Sequence, residues 1–297
     1  PPCLPFFLDD DDSPPCAADF GGFFAFSVPL SLAGAPPRSE PHSITLTFSG
    51  AAEYVTPSSS QRKKLYETHI PIPLRQKVFL AAGSAVTALS NPLRGDMVAT
   101  LGETTGHLFL ERMRDRMLED PMGRRILRER PVVNSQTIDL DRLRALPNRT
   151  FGREYTRWLD TQGVSPDTRE PVRYVDSDEL AYVMRRYRES HDFAHTLTGL
   201  GVTVESELAL KWFEWAQMGL PMTALASLFG PLRLTSEERN RLFTRYVPWA
   251  VQCAVGSKFL MNVYFEKWFE KPLEEVRREL GIYLPEVPEN DGFSPAL

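Results

Sequence analysis

Glu189-Ser-His-Asp-Phe-Ala-His195-Thr-Leu-Thr-Gly199-Leu-Gly-Val-Thr-Val204-Glu-Ser-Glu207 closes one helix and opens another. Upstream, Asp176-Ser-Asp-Glu179 starts the first helix with acids in its first turn, where the helix dipole favours them. Residues advance about 100° each on a helix, so His191 and His195 share a face, with Asp192 to one side. The Thr-Gly-Leu-Gly run at 198–201 should end the helix, because glycine accepts the left-handed turn of a helix end. A second helix starting near 202–204 carries Glu207 in its first turn or two. The short connection makes the pair antiparallel and brings Glu207 back over the histidines. His191, Asp192, His195 and Glu207 are therefore candidate metal ligands. The alternative is a pair of helix-end histidines favoured by the dipole and hydrogen-bonded to Asp192.

Outward from this hairpin, helical periodicity dominates residues 74–280. Helices are expected at 74–90, at 97–118 with a break at Gly102 or Gly106, and at 120–129 from the Asp120-Pro121 start. Others are expected at 138–146, 151–160, 208–218 and 222–229, and at 239–246 behind the Thr235-Ser-Glu-Glu238 capping box. Two more are expected, a long one at 248–268 and the last at 272–280. Residues 163–171 read as a loop, and only 43–48 and 172–175 have strand character. The 74–90 helix is apolar nearly all round beyond Lys77, and is expected in the core rather than against lipid. The fold class is a single all-α, multi-helix domain over 64–297, with a disordered N-terminal arm over 1–63.

That arm carries Pro-Pro pairs, an Asp run and three consecutive serines. Residues 1–60 hold seven acids against Arg38 alone, so the net charge of −5 belongs to this segment and the remaining chain is near neutral. No large basic field points to nucleic acid. The arm is also acidic where a mitochondrial presequence is arginine-rich, and a chain opening on Pro1 is expected to be truncated or to carry a misassigned start. Cys3, Cys16 and Cys253 are too few for a disulfide framework, which fits a reducing compartment. The longest apolar stretches, 78–89 and 219–230, fall short of the about 20 residues a bilayer-spanning helix needs.

The His191-Asp192-x-x-His195 motif, followed after eleven residues by Glu207, resembles that of the family of the fourth protein of the coenzyme Q (ubiquinone) biosynthesis pathway. Leu101-Gly-Glu-Thr-Thr-Gly-His107, Ser165-Pro-Asp-Thr-Arg169, Lys211-Trp-Phe-Glu214 and Pro248-Trp-Ala-Val-Gln252 are similar to it too, over roughly 65–284. The resemblance implies an all-helical, self-associating protein, peripheral on the matrix side of the mitochondrial inner membrane and assembled with other ubiquinone-biosynthesis enzymes. It implies zinc on His191, Asp192, His195 and Glu207. The implied activity is that of a carbon-carbon lyase: decarboxylation of a 4-hydroxy-3-methoxy-5-polyprenylbenzoate, in some members with hydroxylation at the same carbon. The other view of the family is a non-catalytic scaffold that binds prenyl lipid and partner enzymes.

A His/Asp/His/Glu donor set suits zinc, and also iron(II) or manganese. Decarboxylation of a para-hydroxybenzoate needs a cation near the head group and a proton for the ring carbon. Lys211, Tyr187 and Arg188 are the candidate proton carriers or anchors; the plainer role for Lys211 is an ion pair with Glu207 or Glu214. The 219–231 segment is the candidate lipid-facing surface. A metal-dependent hydrolase built on the His-Asp doublet would need further ligands, for which His42, His69 and His107 are the remaining histidines.

Overall fold

The computed structural model describes residues 63–91 and 94–286. The run at 43–48 and residues 1–62 of the expected arm lie outside them. The described residues are all-α, contain no strand and belong to one compact unit. The helices in order are α1 (Leu74–Ser90), α2 (Gly95–Thr105), α3 (His107–Glu119), α4 (Pro121–Glu129), α5 (Leu140–Ala145) and α6 (Phe151–Gln162). They continue with α7 (Asp178–Thr198), α8 (Val204–Met218), α9 (Pro221–Phe229), α10 (Ser236–Arg241), α11 (Val247–Gly256) and α12 (Leu273–Leu280).

α7 is the axle. It touches α3, α4, α6, α8, α12 and the 3-10 turn Leu260–Asn262. Phe193 at its centre meets Phe151 and Tyr155 of α6 and Phe265, with ring centroids 4.6–5.5 Å apart. Burying each such ring contributes about 1.5–3 kcal/mol, which fixes α7 against α6 and so fixes the direction of its polar face.

The expected caps form: Asp120 caps α4 ahead of Pro121, and Thr235 and Glu238 form both halves of the capping box. At the start of α7, Ser177 accepts from Leu180 N. The break in 97–118 falls at Gly106. Gly102 stays inside α2, where a methyl group would collide with Met222 Sδ of α9.

Three expectations are corrected. The helix expected at 248–268 stops at Gly256 and continues as 3-10 turns. Gln217 of α8 causes this: its Nε2 donates to the carbonyls of Ala254 and Lys258, and its Oε1 accepts from Leu260 N, replacing helix hydrogen bonds. The run 172–175 forms no strand, because Arg173 and Tyr174 donate their N–H groups to the buried Glu103 carboxylate. Finally, α1 is not a core helix. It packs along α2, and Ser84 is its only buried residue.

Candidate metal centre

α7 ends where Gly199 takes φ 70°, a conformation glycine reaches with no Cβ penalty. Thr203 then caps α8 by accepting from Ser206 N. The chain has reversed, and contacts run in opposite order along the two helices. His195 meets Glu207, His191 meets Lys211 and Glu214, and Tyr187 meets Glu214.

Three ligand atoms converge. His195 Nε2 lies 3.2 Å from Glu207 Oε1, His191 Nε2 lies 3.8 Å from Glu207 Oε2, and the two Nε2 atoms are 3.2 Å apart. Each of His191, His195 and Glu207 offers one atom within 4.8 Å of the others. The outer nitrogens are already committed. His195 Nδ1 is 3.0 Å from the Leu200 carbonyl, which can only accept, so Nδ1 carries the hydrogen. Trp158 stacks on that ring at 4.8 Å and donates to the same carbonyl. His191 Nδ1 lies 2.7 Å from Glu214 Oε1. In the neutral rings two Nε2 lone pairs therefore face each other beside a carboxylate, an arrangement that a shared proton or a metal cation relieves. The donor set fits a divalent transition metal, with the outer partners fixing the rings as in other carboxylate- and carbonyl-braced histidine ligands.

Charge inside the hairpin is strongly coupled. Burial would raise the Glu207 carboxyl, but His195, His191 and Lys211 hold it well below the usual carboxylate range. Burial likewise opposes ionisation of Glu214, yet Lys211 and His191 bring it down to about 2. Burial and Lys211 act to lower His191; Glu214 and Glu207 outweigh them and raise it. Burial, then Glu214, pushes the Tyr187 phenol well above its ordinary value. Glu207 remains 32 % exposed, which opens the cluster to the outside.

Asp192 is not brought into this triplet. Its Oδ2 accepts from Arg169 Nε at 2.7 Å, and Arg169 also donates to the Val133 carbonyl and to Tyr155. Lys211 does lie at the centre, with Nζ 2.8 Å from Glu214 Oε2 and 3.2 Å from His191 Nδ1. Tyr187 is buried behind Glu214 and donates to it at 2.8 Å. Arg188 points away, to the Glu170 carbonyl and Glu103. His69 is engaged with Asp176 and His107 with Glu111, and His42 lies outside the described residues. Sequence reasoning expected the Lys211–Glu214 ion pair, which forms, but missed the contact of Glu214 with His191 and missed Arg169 altogether. The stripe of Glu207, Lys211 and Glu214 at helical spacing could have found the first; nothing local marks the second.

Residues 66–286 match the model of the family described as coenzyme Q (ubiquinone) biosynthesis protein Coq4. The chain belongs to that family. The mitochondrial ubiquinone biosynthesis protein COQ4 of Coprinopsis cinerea is 52% identical over 221 residues, spanning 74% of this chain and 76% of that one. The Bos taurus COQ4 homolog, also named mitochondrial, is 50% identical over 221 residues, spanning 74% of this chain and 83% of its own. A crystal structure of a putative ubiquinone biosynthesis protein from Nostoc punctiforme shares the fold seen here. Its TM-score is 0.57 at 19% identity, over 69% of this chain and 97% of that one.

Proposed function

We propose that this chain acts in ubiquinone biosynthesis as a metal-dependent decarboxylase of a 4-hydroxy-3-methoxy-5-polyprenylbenzoate. The bond from the ring to the carboxylate breaks, carbon dioxide leaves, and a proton takes its place on the ring carbon. The observation that carries the reading is the convergence of His191 Nε2, His195 Nε2 and Glu207, with both Nδ1 atoms committed elsewhere. Zinc suits these donors, and iron(II) or manganese fits them too. When bound, the metal supplies a cationic centre that polarises an oxygen of the head group. Asp192 is the fourth ligand, and joining the set requires its carboxylate to leave Arg169. Lys211, whose ammonium lies at the cluster, is the group that delivers the proton. Tyr187 acts behind it, through Glu214.

The setting is the matrix face of the mitochondrial inner membrane, with the chain peripheral. The relatives are named mitochondrial, and no described helix is long and apolar enough to cross a membrane. α1 leaves Leu74, Val78, Phe79 and Val86 exposed. Arg233 donates to the Leu89 carbonyl, which ties the turn carrying exposed Leu232 to the end of α1. This face supports both lipid contact and the second reading, a self-associating, non-catalytic organiser of prenyl lipid and partner enzymes.

The test is carbon dioxide release by the full chain from prenylated hydroxybenzoate in liposomes. Release should follow metal occupancy and vanish in Glu207→Ala. Metal-loaded, lipid-bound protein that releases none would contradict the decarboxylase and favour the organiser.

A further inference from the structure

Glu214 is 1% exposed, and three side chains, Tyr187, Lys211 and His191, meet its carboxylate. Tyr187 Oη and Lys211 Nζ both donate into Oε2 at 2.8 Å, which marks the group as an acceptor. Oε1 then faces His191 Nδ1 at 2.7 Å. A lone pair on Nδ1 would confront oxygen lone pairs at that distance; a hydrogen there makes a charge-assisted hydrogen bond. Lys211 Nζ, 3.2 Å from the same nitrogen, cannot donate to an Nδ1 that carries a hydrogen, so its claim falls on Glu214.

We propose that Glu214 is the positioning residue that sets the tautomer of His191, placing the hydrogen on Nδ1 and turning the Nε2 lone pair toward His195 and Glu207. It does for His191 what the Leu200 carbonyl does for His195. Its consequence for metal affinity rests on the metal reading above; its control of the ring does not.

The isosteric Glu214→Gln variant makes the inference sharp. An amide has one accepting oxygen, and Lys211 and Tyr187 both demand it, so the NH2 group turns to His191 Nδ1. The hydrogen must then move to Nε2, where it closes onto the His195 Nε2 lone pair 3.2 Å away. Adding Lys211→Met removes the ammonium's demand. The Tyr187 hydroxyl can then accept from the amide NH2, and the amide carbonyl can return to Nδ1.

The experiment reads histidine ring nitrogens by 15N–1H correlation in the metal-free full chain at pH 8, and zinc affinity by chelator competition. The parent should show His191 protonated at Nδ1. Glu214→Gln should show it at Nε2 with zinc bound about 10–100-fold more weakly, the range typical of an outer-shell partner. The double variant should regain the parent tautomer and most of the affinity. A folded Glu214→Gln protein that keeps Nδ1–H would overturn the proposal. A tautomer that switches as stated in protein that takes up no zinc would uphold it and sink the metal reading instead.

Discussion

α1 and α7 invert the usual relation between composition and burial. α1 has no charge beyond Lys77, yet Ser84 is its only buried residue of 17. α7 carries acids, arginines and two histidines, and fifteen of its 21 residues are buried. An apolar helix left outside signals a surface that something else covers. A polar helix held inside signals groups whose partners compensate for the water they lost. In α7 those partners are visible. Arg186 is fully buried and bonds Glu266, Glu189 and the Val263 carbonyl; His191 and His195 face Glu214, Glu207 and Leu200. The difference separates the face proposed for docking from the face proposed for chemistry.

The comparison breaks most visibly at Arg186. Arg186→Met should take the buried guanidinium from Glu266, leave Glu189 with only Arg185 and the Val133 N–H, and cost about 3–5 kcal/mol, a fall of roughly 10 °C in melting temperature. A change of a degree or two in a thermal scan would show that α7's charges are not held by their partners.

The next effect is the pH dependence of metal stabilisation. His191 is raised above its ordinary 6.5, so its charged form stabilises the metal-free fold fully below about pH 6.5, and that contribution is lost as pH rises through the raised value. Metal needs the neutral ring. The rise in melting temperature on adding zinc should therefore be larger at pH 8 than at pH 6, toward the about 2.7 kcal/mol expected at a hundredfold excess over Kd. Equal increments at the two pH values would contradict a metal on His191.

The smallest effect on stability is expected on α1. Val78→Glu and Phe79→Glu should leave unfolding free energy within about 0.5 kcal/mol, as exposed sites do, while weakening binding to liposomes in a flotation assay. Unchanged flotation would remove α1 from the lipid-facing surface.

Much of this was legible in the sequence because it is local. Helix starts at Asp120 and Thr235, and the stop at Gly199, are fixed by hydrogen bonds a few residues long. So is the His191–His195 spacing. What escaped depends on distant side chains. The end of α11 is set by Gln217, the extended run at 172–175 by Glu103, and the partner of Asp192 by Arg169 in a loop. The exposure of α1 escaped for a different reason, since periodicity says how a helix is faced and not what covers it.

Zinc titration of the full chain against a chromogenic chelator tests the central claim most directly. One zinc per chain is expected, with affinity falling more in His195→Ala and Glu207→Ala than in Asp192→Asn, because the triplet is already assembled and Asp192 is held by Arg169. Zinc uptake indifferent to His195 and Glu207, or no uptake by folded protein, would contradict a metal centre between α7 and α8.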